Sequence, residues 1–478
     1  MSARFIIAAA AACISVSPGV RAFDSLRAET TVPLTAAGSV VPAMDRCLFG
    51  APGSPLSLAE AIERALCRSP RTRQAWADVK AQAAGLGVAR SAYLPTVSGT
   101  AQVVRDNSGT DVAGHPSLNS TGAASVNSES VSLNWTLLDF GTRAAAVRNA
   151  SALLAAAGST QDATLQALFV SVAKDYYSAQ AAAGTLAAAL DVERIADASA
   201  RAAATRVDRG IAPISDALQA KTAFTQAVLT RNKAQGAWQT AVGSLASDLD
   251  LSPDIPLLLP EVTDGIQPDA TFTRSISELL EDARRTHPAV LAAQAQVDAT
   301  AANVDLTRAQ GLPNLSLISK YSRNNQPASL SLGLVQLPST GHDWYVGLQI
   351  TIPFFEGFSR MYQVRQAQAR LEHQQDALDD ARQQVSLEVW NSYQAVQTST
   401  NEVKDSASLL DVALRSFTAA QRRYQAGVGN ILELLNAQTA LANAQQQRIQ
   451  ALTGWRSTRL RFAGSLGRLK STRLADSM

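Results

Sequence analysis

Two patterns of apolar and polar residues occur along this chain, and each predicts a different kind of element. Within segments 126–138 and 343–354, every second residue is apolar from Val131 to Leu137 and from Trp344 to Ile352. This period of two predicts β-strands with one apolar and one polar face. In segment 357–426 the apolar residues instead recur every seven positions, which predicts a long helix that packs against another helix.

The heptad of this long segment is interrupted once. Its apolar positions run from Val364 to Val385 in steps of seven, and after one step of four they resume from Val389 to Tyr424. A four-residue insertion is a stutter, which locally unwinds a coiled coil. The pattern therefore predicts a helix that changes its supercoil partway along, and an ordinary long coiled coil is the alternative.

The same series of elements occurs twice. Arg206 and Gly210 in the first half correspond to Arg423 and Gly427 in the second half, 217 positions later. A unit of this length is far longer than the roughly 20–50 residues of a solenoid repeat. The chain is therefore predicted to contain two folded halves that pair with each other.

Each half begins with a short helix and a second helix that starts at a proline, followed by two strands, a long helix and a return helix. The short helices have capping-type starts, Ser57 before Glu60 and Ser275 before Glu278. A polar loop rich in Gly, Ser, Asn and Thr is predicted from Asp106 to Ser125. The predicted bounds are strands 95–105 and 126–138, long helix 141–209 and return helix 213–249 in the first repeat (56–260), and strands 313–323 and 343–354, long helix 357–426 and return helix 430–467 in the second repeat (261–470).

The strands admit two interpretations. An amphipathic sheet in a soluble sandwich has the same alternation as a strand of a membrane barrel, which is about ten residues long. The long helices favour the membrane, because at 1.5 Å per residue they run roughly 100 Å and no compact sandwich carries such helices. Four strands per chain are too few to close a membrane barrel, for which about eight are needed. Several copies are therefore expected to share one barrel, since open edges in lipid leave backbone groups unpaired.

The N-terminus has the pattern of a secretory signal peptide, assigned to residues 1–22. Arg4 supplies positive charge, a short apolar core follows, and Val20-Arg21-Ala22 offers small residues for cleavage. A membrane anchor is the alternative, but about 12 apolar residues are too few to cross a bilayer. An extended segment is assigned to residues 23–55 and a C-terminal tail to residues 471–478.

Two cysteines follow the predicted signal peptide, Cys47 and Cys67. An even pair in an exported protein favours a disulfide, which would tie the N-terminal segment to the first helix. Two unpaired thiols are the alternative.

Composition narrows the range of functions. The net charge of +2 argues against a nucleic-acid-binding surface. Hydrophobic residues make up 46% of the chain but aromatic residues only 5%, because much of the apolar content is alanine, which favours close helix packing. The four histidines are scattered without metal-ligand spacing, and no nucleotide loop or nucleophile motif occurs. We therefore expect neither an enzyme nor a bound cofactor or metal.

Several motifs together resemble the TolC family of outer-membrane efflux and secretion channels. Two strands start with Leu-Pro, at Leu94-Pro95 and Leu312-Pro313. The strand pairs end in Leu138-Asp139-Phe140-Gly141 and Phe355-Glu356-Gly357, and each long helix ends in a glycine turn. The likeness covers about Leu56 to Leu469. The cysteine pair and the Ala-Leu-Cys-Arg-Ser-Pro context resemble the CyaE-type branch, which serves type I secretion of an adenylate cyclase toxin.

The resemblance implies a fold that is mainly α with membrane β. Three chains of two repeats each would form a 12-stranded outer-membrane β-barrel, continued by a 12-helix periplasmic α-barrel. Such a homotrimer would lie in the outer membrane of a Gram-negative bacterium, with most of its mass in the periplasm. Its expected partners are outer-membrane lipid, a periplasmic adaptor, an inner-membrane transporter of ABC type and an exported protein cargo.

Three functions remain open on these grounds. Type I protein secretion is the first, and multidrug or metal efflux through the same architecture is the second. A periplasmic coiled-coil structural protein without a pore is the third. The residues do not separate secretion from efflux, because the transporter selects the cargo.

The resemblance also implies a constriction and a closing contact at the helix ends. In the family an acidic pair on the second return helix narrows the channel, and these positions fall here on Glu433 and Asn436. One acid is kept and one is lost, so weaker cation block is expected than with a double ring. Without the resemblance, Glu433 is simply an exposed residue after a turn.

Family channels are also held shut by bonds between the turns of the two halves. Asp216 and Tyr424 fall on one such pair, and Tyr424 is equally the last core position of the heptad. Ser215 falls on another pair, whose expected arginine partner is Gly429 here. The turns around Gly210–Ser215 and Gly427–Ile431 are the predicted docking surface for the adaptor, with Arg209, Gly210, Arg423 and Gly427 as its marker residues.

Overall fold

The computed structural model describes residues 24–37, 47, 49–50, 55–262, 275–325 and 339–467. The predicted signal peptide and C-terminal tail lie outside these residues. The described chain contains eight helices and four strands, which follow one order twice. They are α1 (Leu58–Arg68), α2 (Pro70–Ser91), β1 (Thr96–Thr110), β2 (Ser120–Leu138), α3 (Thr142–Asp208), α4 (Ile214–Asp248), α5 (Ile276–Thr286), α6 (Pro288–Ala309), β3 (Asn314–Asn324), β4 (Gly341–Thr351), α7 (Ser359–Gln425) and α8 (Ile431–Ser465).

The chain divides into two compact units, and each unit takes segments from both repeats. The first unit comprises residues 1–32, 80–154 and 296–374, and the second comprises 33–79, 155–295 and 375–478. None of the described helices combines the length and the apolar composition that a membrane crossing requires.

The four strands form one antiparallel sheet in the first unit, in the order β1-β2-β3-β4. One face is apolar and exposed, with side chains such as Val131, Trp344 and Leu348. The other face carries hydroxyl side chains that pair across strands, as Ser98 with Ser132 at 2.8 Å. The alternation read from the sequence thus corresponds to the two faces of the sheet.

The loop predicted from Asp106 to Ser125 is mostly strand, so that prediction was wrong in extent. β1 continues to Thr110 and β2 begins at Ser120, and the two pair throughout. Among the described strands, β3 pairs with β2 from Ser128 onward, and none pairs with the rest of the β1–β2 hairpin. Because both faces of this part carry small polar residues, the sequence shows no alternation there.

The last strand is shorter than predicted. β4 ends at Thr351 rather than at Phe354. Pro353 explains the difference, because proline has no N–H to donate to the sheet. The three phenylalanines that follow, Phe354, Phe355 and Phe358, are exposed beyond the strand end.

In both repeats an acid–arginine ion pair lies where the strand passes into the long helix. In the first repeat Asp139 accepts from the backbone N–H and the side chain of Arg143, at 2.8 and 2.9 Å. In the second repeat Glu356 and Arg360 form the equivalent ion pair at 3.0 Å. The residue after each acid has a left-handed backbone, Phe140 at φ 50° and Gly357 at φ 60°. The ion pair stabilises this sharp change of chain direction.

The main core of the second unit forms where α1 packs on α3 and α4. Ile62, Phe169 and Leu245 are buried there.

The predicted capping starts of the short helices are present, because Ser57 Oγ accepts from the Glu60 N–H at 3.2 Å and Ser275 Oγ accepts from the Glu278 N–H at 3.3 Å. Each cap satisfies a backbone donor that the first turn of a helix leaves free.

The heptad positions of α7 pack as predicted. Val385 before the stutter and Val389 and Val396 after it are buried. Buried serines share the same face, and Ser392 Oγ lies 2.8 Å from Ser465 Oγ of α8. Small side chains in this position allow the two helices to approach closely.

The N-terminal segment of the second unit is fixed to its core at several points. Trp76 Nε1 donates to the Pro33 carbonyl at 2.9 Å, and the Leu56 N–H donates to the Leu258 carbonyl at 2.8 Å. Cys47 and Cys67 form a disulfide with a Cα–Cα distance of 5.6 Å. The segment before α1 is therefore joined covalently to α1.

An aspartate pair lies where the end of α4 meets α3. Burial, together with a hydrogen bond and the charge of Asp175, raises the pKa of Asp248 to about 6, although Arg71 acts in the opposite direction. Among the described residues, one oxygen of Asp248 is buried without a hydrogen-bond partner. Two close carboxyl groups cannot both ionise easily, so the pair favours a shared proton.

We expect the free energy of unfolding of the second unit to rise as the pH falls from about 7 to about 4. The folded state takes up a proton at Asp248 before the unfolded chain does, because its pKa is raised above the usual 3.8. Asp248→Asn should flatten this dependence and stabilise the protein by about 1 kcal/mol near neutral pH, allowing for solvent screening. Urea unfolding of the helical signal at two pH values measures it. The exposed Asp250→Asn should keep the wild-type pH dependence, and a profile unchanged in Asp248→Asn would contradict the assignment.

Candidate functional site at the two helix-to-helix turns

The predicted site residues gather at two turns of the second unit. The first tip turn, residues 209–213, joins α3 to α4, and the second tip turn, residues 426–430, joins α7 to α8. Each has a glycine with a left-handed backbone, Gly210 at φ 71° and Gly427 at φ 80°. This conformation closes the end of a long helix and lets the chain turn back.

Arg206 connects the two turns. From the last turn of α3 its guanidinium donates to the Tyr424 carbonyl at 2.7 Å. The same group stacks over the Tyr424 ring, 4.8 Å from its centre. A Cβ at Gly427 would lie 3.5 Å from Arg206 Nη2, so the glycine leaves room for this contact. One arginine of the first repeat thus holds the end of the long helix of the second repeat.

Arg423 is the repeat equivalent of Arg206 and has a different partner. Its Nε lies 3.1 Å from Oε1 of Glu433, across the second tip turn. Both side chains are partly exposed, at 56% and 41%. The negative charge predicted for a constriction is therefore accompanied by a positive charge within the same turn.

Glu433 also belongs to the start of α8. Asn430 is the N-cap residue, and its side-chain oxygen accepts from the Glu433 N–H at 2.7 Å. An acid in the first helical turn is favoured by the helix dipole. Asn436 lies three residues further and is exposed like Glu433. The two predicted constriction residues therefore share one exposed face of α8.

The predicted latch pair is not joined within one chain. Tyr424 is buried, and among the described residues its hydroxyl has no hydrogen-bond partner. Asp216 is half-buried at the start of α4, where Ser215 Oγ donates to its Oδ1 at 3.4 Å. The latch between Asp216 and Tyr424 therefore stays a prediction.

Gly429 occupies the position where the resemblance led us to expect an arginine. A Cβ there would lie 3.1 Å from both Arg423 Cβ and the Tyr424 backbone nitrogen. A side chain at this position would therefore require the end of α7 to shift by a few tenths of an ångström. Ser215 accordingly has no arginine partner from residue 429.

Arg206 is the residue that sequence reasoning missed. The repeat relates it to Arg423, which is predicted to contact the adaptor, but no role was predicted for Arg206. The contact of Arg206 with Tyr424 depends on how the two helix ends pack, which a repeat pattern does not specify.

A family model described as "Outer membrane efflux protein" matches residues 61–249 and 279–468. The two matched stretches correspond to the two repeats. Protein CyaE of Bordetella pertussis is 33% identical over 463 residues, which is 95% of this chain and 93% of that protein. Outer membrane protein TolC of Escherichia coli is 23% identical, covering 86% of this chain and 82% of that protein.

Two further similarities extend the comparison. Alkaline protease secretion protein AprF of Pseudomonas aeruginosa is 26% identical over 53% of this chain and 52% of that protein. The crystal structure of the outer membrane protein VceC of Vibrio cholerae matches with a TM-score of 0.71 at 20% identity, covering 86% of this chain and 96% of that one. At this identity the structural match shows the fold.

These matches confirm the resemblance and the fold class predicted from the sequence: two repeats per chain, mainly helical, with a membrane sheet. They also confirm the predicted location, the outer membrane with a large periplasmic helical part. The family consists of transport channels rather than enzymes, which excludes the pore-free structural alternative. The chain belongs to the outer membrane efflux protein family.

Proposed function

We propose that this protein is the outer-membrane exit duct of a type I protein secretion system. In this proposal a homotrimer forms the channel, and an ABC-type inner-membrane transporter with its periplasmic adaptor opens it. The supporting observation is the similarity to CyaE over nearly the whole of both chains. The similarity to a protease secretion protein supports the same class of cargo.

The sheet supports the homotrimer. β1 and β4 are its two edges within the chain, and most of the apolar side chains of β2 and β4 are exposed. Lipid cannot satisfy the backbone groups of an open edge. Pairing of β4 of one copy with β1 of the next would satisfy them. Three copies would close a barrel of twelve strands, which lies within the range of known membrane barrels.

In this proposal the tip turns form the closed end of the channel. The Arg206–Tyr424 contact holds the two turns of one chain together, and Asp216 is the partner proposed for the free Tyr424 hydroxyl of a neighbouring chain. Glu433 and Asn436 line the narrowest part. Because Arg423 accompanies Glu433, the ring they form carries little net charge.

The exposed apolar residues of the tip turns support a docking role. Ile211, Ile214 and Val428 are each more than half exposed. Arg209 and Gly210 are exposed in the first tip turn, next to this apolar surface. A helical hairpin of the adaptor could bury such a surface in a groove. Arg209, Gly210, Arg423 and Gly427 are therefore the proposed adaptor contacts.

The charge of the constriction is tested by planar-bilayer recording of the purified trimer. Arg423→Gln is expected to raise cation selectivity, because it leaves the Glu433 ring without its counter-charge. Glu433→Gln is expected to lower cation selectivity. Asn436→Asp is expected to act like Arg423→Gln, since it adds a second carboxylate on the same face. Equal selectivity in all variants would show that these residues do not line the pore.

Efflux is the second candidate, and the description of the family model favours it. Deletion of the gene separates the two functions. Secretion predicts that one or a few proteins disappear from the culture medium while drug and solvent tolerance stay unchanged. Efflux predicts the reverse, lowered tolerance with an unchanged set of exported proteins.

A further inference from the structure

The apolar face of the sheet has a defined outer limit. From Trp344 on β4 to Ile352 directly after its end, the apolar side chains span about 26 Å at roughly 3.3 Å per residue. This is close to the apolar band of about 25 Å on membrane barrels. At the end away from the helices, Tyr321 of β3 pairs with Trp344 of β4. An aromatic pair at this position is typical of the lipid–water interface.

The next outward-facing row is charged. Register places Glu129 opposite Arg323, and Arg323 opposite His342, two residues beyond the aromatic pair on each strand. Because side chains alternate, this row is on the same face as Tyr321 and Trp344. All three side chains are exposed. Among the described residues, Arg323 has no ion-pair or hydrogen-bond partner for its guanidinium.

The row lies at the outer surface of the membrane. β2 and β4 run into the long helices at their other ends, and the helical part of the protein is periplasmic. The ends near Asn324 and Gly341 therefore face the cell exterior. The charged row is then level with the head groups of the outer leaflet, which in Gram-negative bacteria carry phosphorylated sugars.

We propose that Arg323, with His342 beside it, binds a phosphate group of outer-leaflet lipopolysaccharide. A guanidinium offers two parallel N–H donors to phosphate oxygens, and basic residues at head-group level bind anionic lipids. His342 can add a donor from the adjacent strand. Glu129 lies on the other side of Arg323 in the same row, where its negative charge weakens rather than aids the binding of a phosphate.

The opposite face of the sheet provides a contrast. There Ser322 Oγ donates to Oδ1 of Asp343 at 2.5 Å, in the row between the aromatic pair and the charged row. This carboxylate would repel phosphate. Arg323 is therefore on the lipid-facing side, and the carboxylate of Asp343 is on the polar side.

The chain offers a matched control in Arg105. On β1, Ala101 pairs with Glu129 and therefore belongs to the charged row. Arg105 is four residues further along the same face, about 13 Å beyond this row, where no described third strand joins the hairpin. It has the same charge and is also exposed. At this distance the Arg105 side chain lies beyond the level of the head groups that face Arg323. A general electrostatic attraction would involve Arg105, whereas a site at head-group level would not.

Native mass spectrometry measures how much lipopolysaccharide remains bound to the detergent-purified trimer after incubation with defined amounts of the lipid. Arg323→Gln is expected to reduce occupancy roughly fivefold, the contribution of one arginine at an anionic lipid surface. Arg105→Gln should bind like wild type. Glu129→Gln should bind at least as well as wild type, because it removes a negative neighbour of the phosphate.

Several results would overturn the proposal. Unchanged occupancy in Arg323→Gln would remove its basis, and equal losses in Arg105→Gln and Arg323→Gln would show unspecific attraction. A loss in Glu129→Gln would show that a divalent cation bridges the lipid instead. Phosphatidylglycerol vesicles and inorganic phosphate serve as competitors, and full competition by either would contradict the assignment to lipopolysaccharide. Single-channel conductance of Arg323→Gln should equal that of wild type, so this test is independent of the channel function.

Discussion

Arg206→Ala is expected to convert a mostly closed channel into one that opens frequently in planar bilayers. The variant loses a charged hydrogen bond to the Tyr424 carbonyl and the stacking of Arg206 on the tyrosine ring. A hydrogen bond from a charged donor contributes about 1.5–3 kcal/mol. The equilibrium between closed and open tips should therefore shift at least roughly tenfold, since about 1.4 kcal/mol corresponds to a factor of ten. Mean conductance and open time of single channels measure the change.

Two variants control for loss of charge. Arg201→Ala removes an exposed arginine of the same helix that forms a surface ion pair with Asp197, and it should conduct like wild type. Arg206→Lys keeps the charge but not the planar fork, so it should lie between wild type and alanine. If Arg201→Ala and Arg206→Ala conduct equally, the contact with Tyr424 does not hold the tip closed.

Tyr424→Phe separates the contact within the chain from the proposed contact between chains. The phenylalanine keeps the ring and the backbone carbonyl that Arg206 uses, and it removes only the hydroxyl, which is unpartnered among the described residues of one chain. A bond from Asp216 of a neighbouring chain predicts raised conductance in both Tyr424→Phe and Asp216→Ala. Wild-type conductance in both variants would leave Arg206 as the sole latch of this tip.

Replacing both Cys47 and Cys67 with alanine should lower the free energy of unfolding of the second unit by about 3 kcal/mol. The disulfide closes a loop with a sequence separation of 20 residues, and loops of this size contribute about that amount. The loss should first appear in the N-terminal segment, which is also held by the backbone bond between Leu56 and Leu258. Limited proteolysis and urea unfolding in detergent measure it.

Reduction of the wild-type protein provides the matched comparison. Wild type treated with a thiol reductant should unfold like the double alanine variant, and the variant should not respond to the reductant. A double variant as stable as oxidised wild type would mean that the non-covalent contacts of the segment are sufficient. The single variants are less informative, because each leaves a free thiol.

The helices and the faces of the strands could be predicted from the sequence because their patterns are long and periodic. The buried positions of α7, such as Val389 and Val396, follow directly from the heptad. The hairpin of β1 and β2 could not be predicted at its full length. Beyond Arg105 both faces of the hairpin are polar, so no alternation marks the strands, and glycine and serine are normally signs of a loop.

The site could be predicted only in its position. The glycine turns and the repeated arginines locate the tip turns, but the partners of these arginines depend on packing between helices that are distant in sequence. The bond from Arg206 to Tyr424 spans 218 residues, and the pair of Arg423 with Glu433 crosses a turn. Neither is specified by local spacing.

The unequal use of Arg206 and Arg423 shows what gene duplication has made possible in this chain. A protein built from one repeat per gene would place the same chemistry at every tip turn, and any change would appear in all of them at once. With two repeats in one gene, one arginine can bind the neighbouring helix end while its counterpart neutralises an acid. Closure and charge at the same end of the molecule can therefore evolve independently.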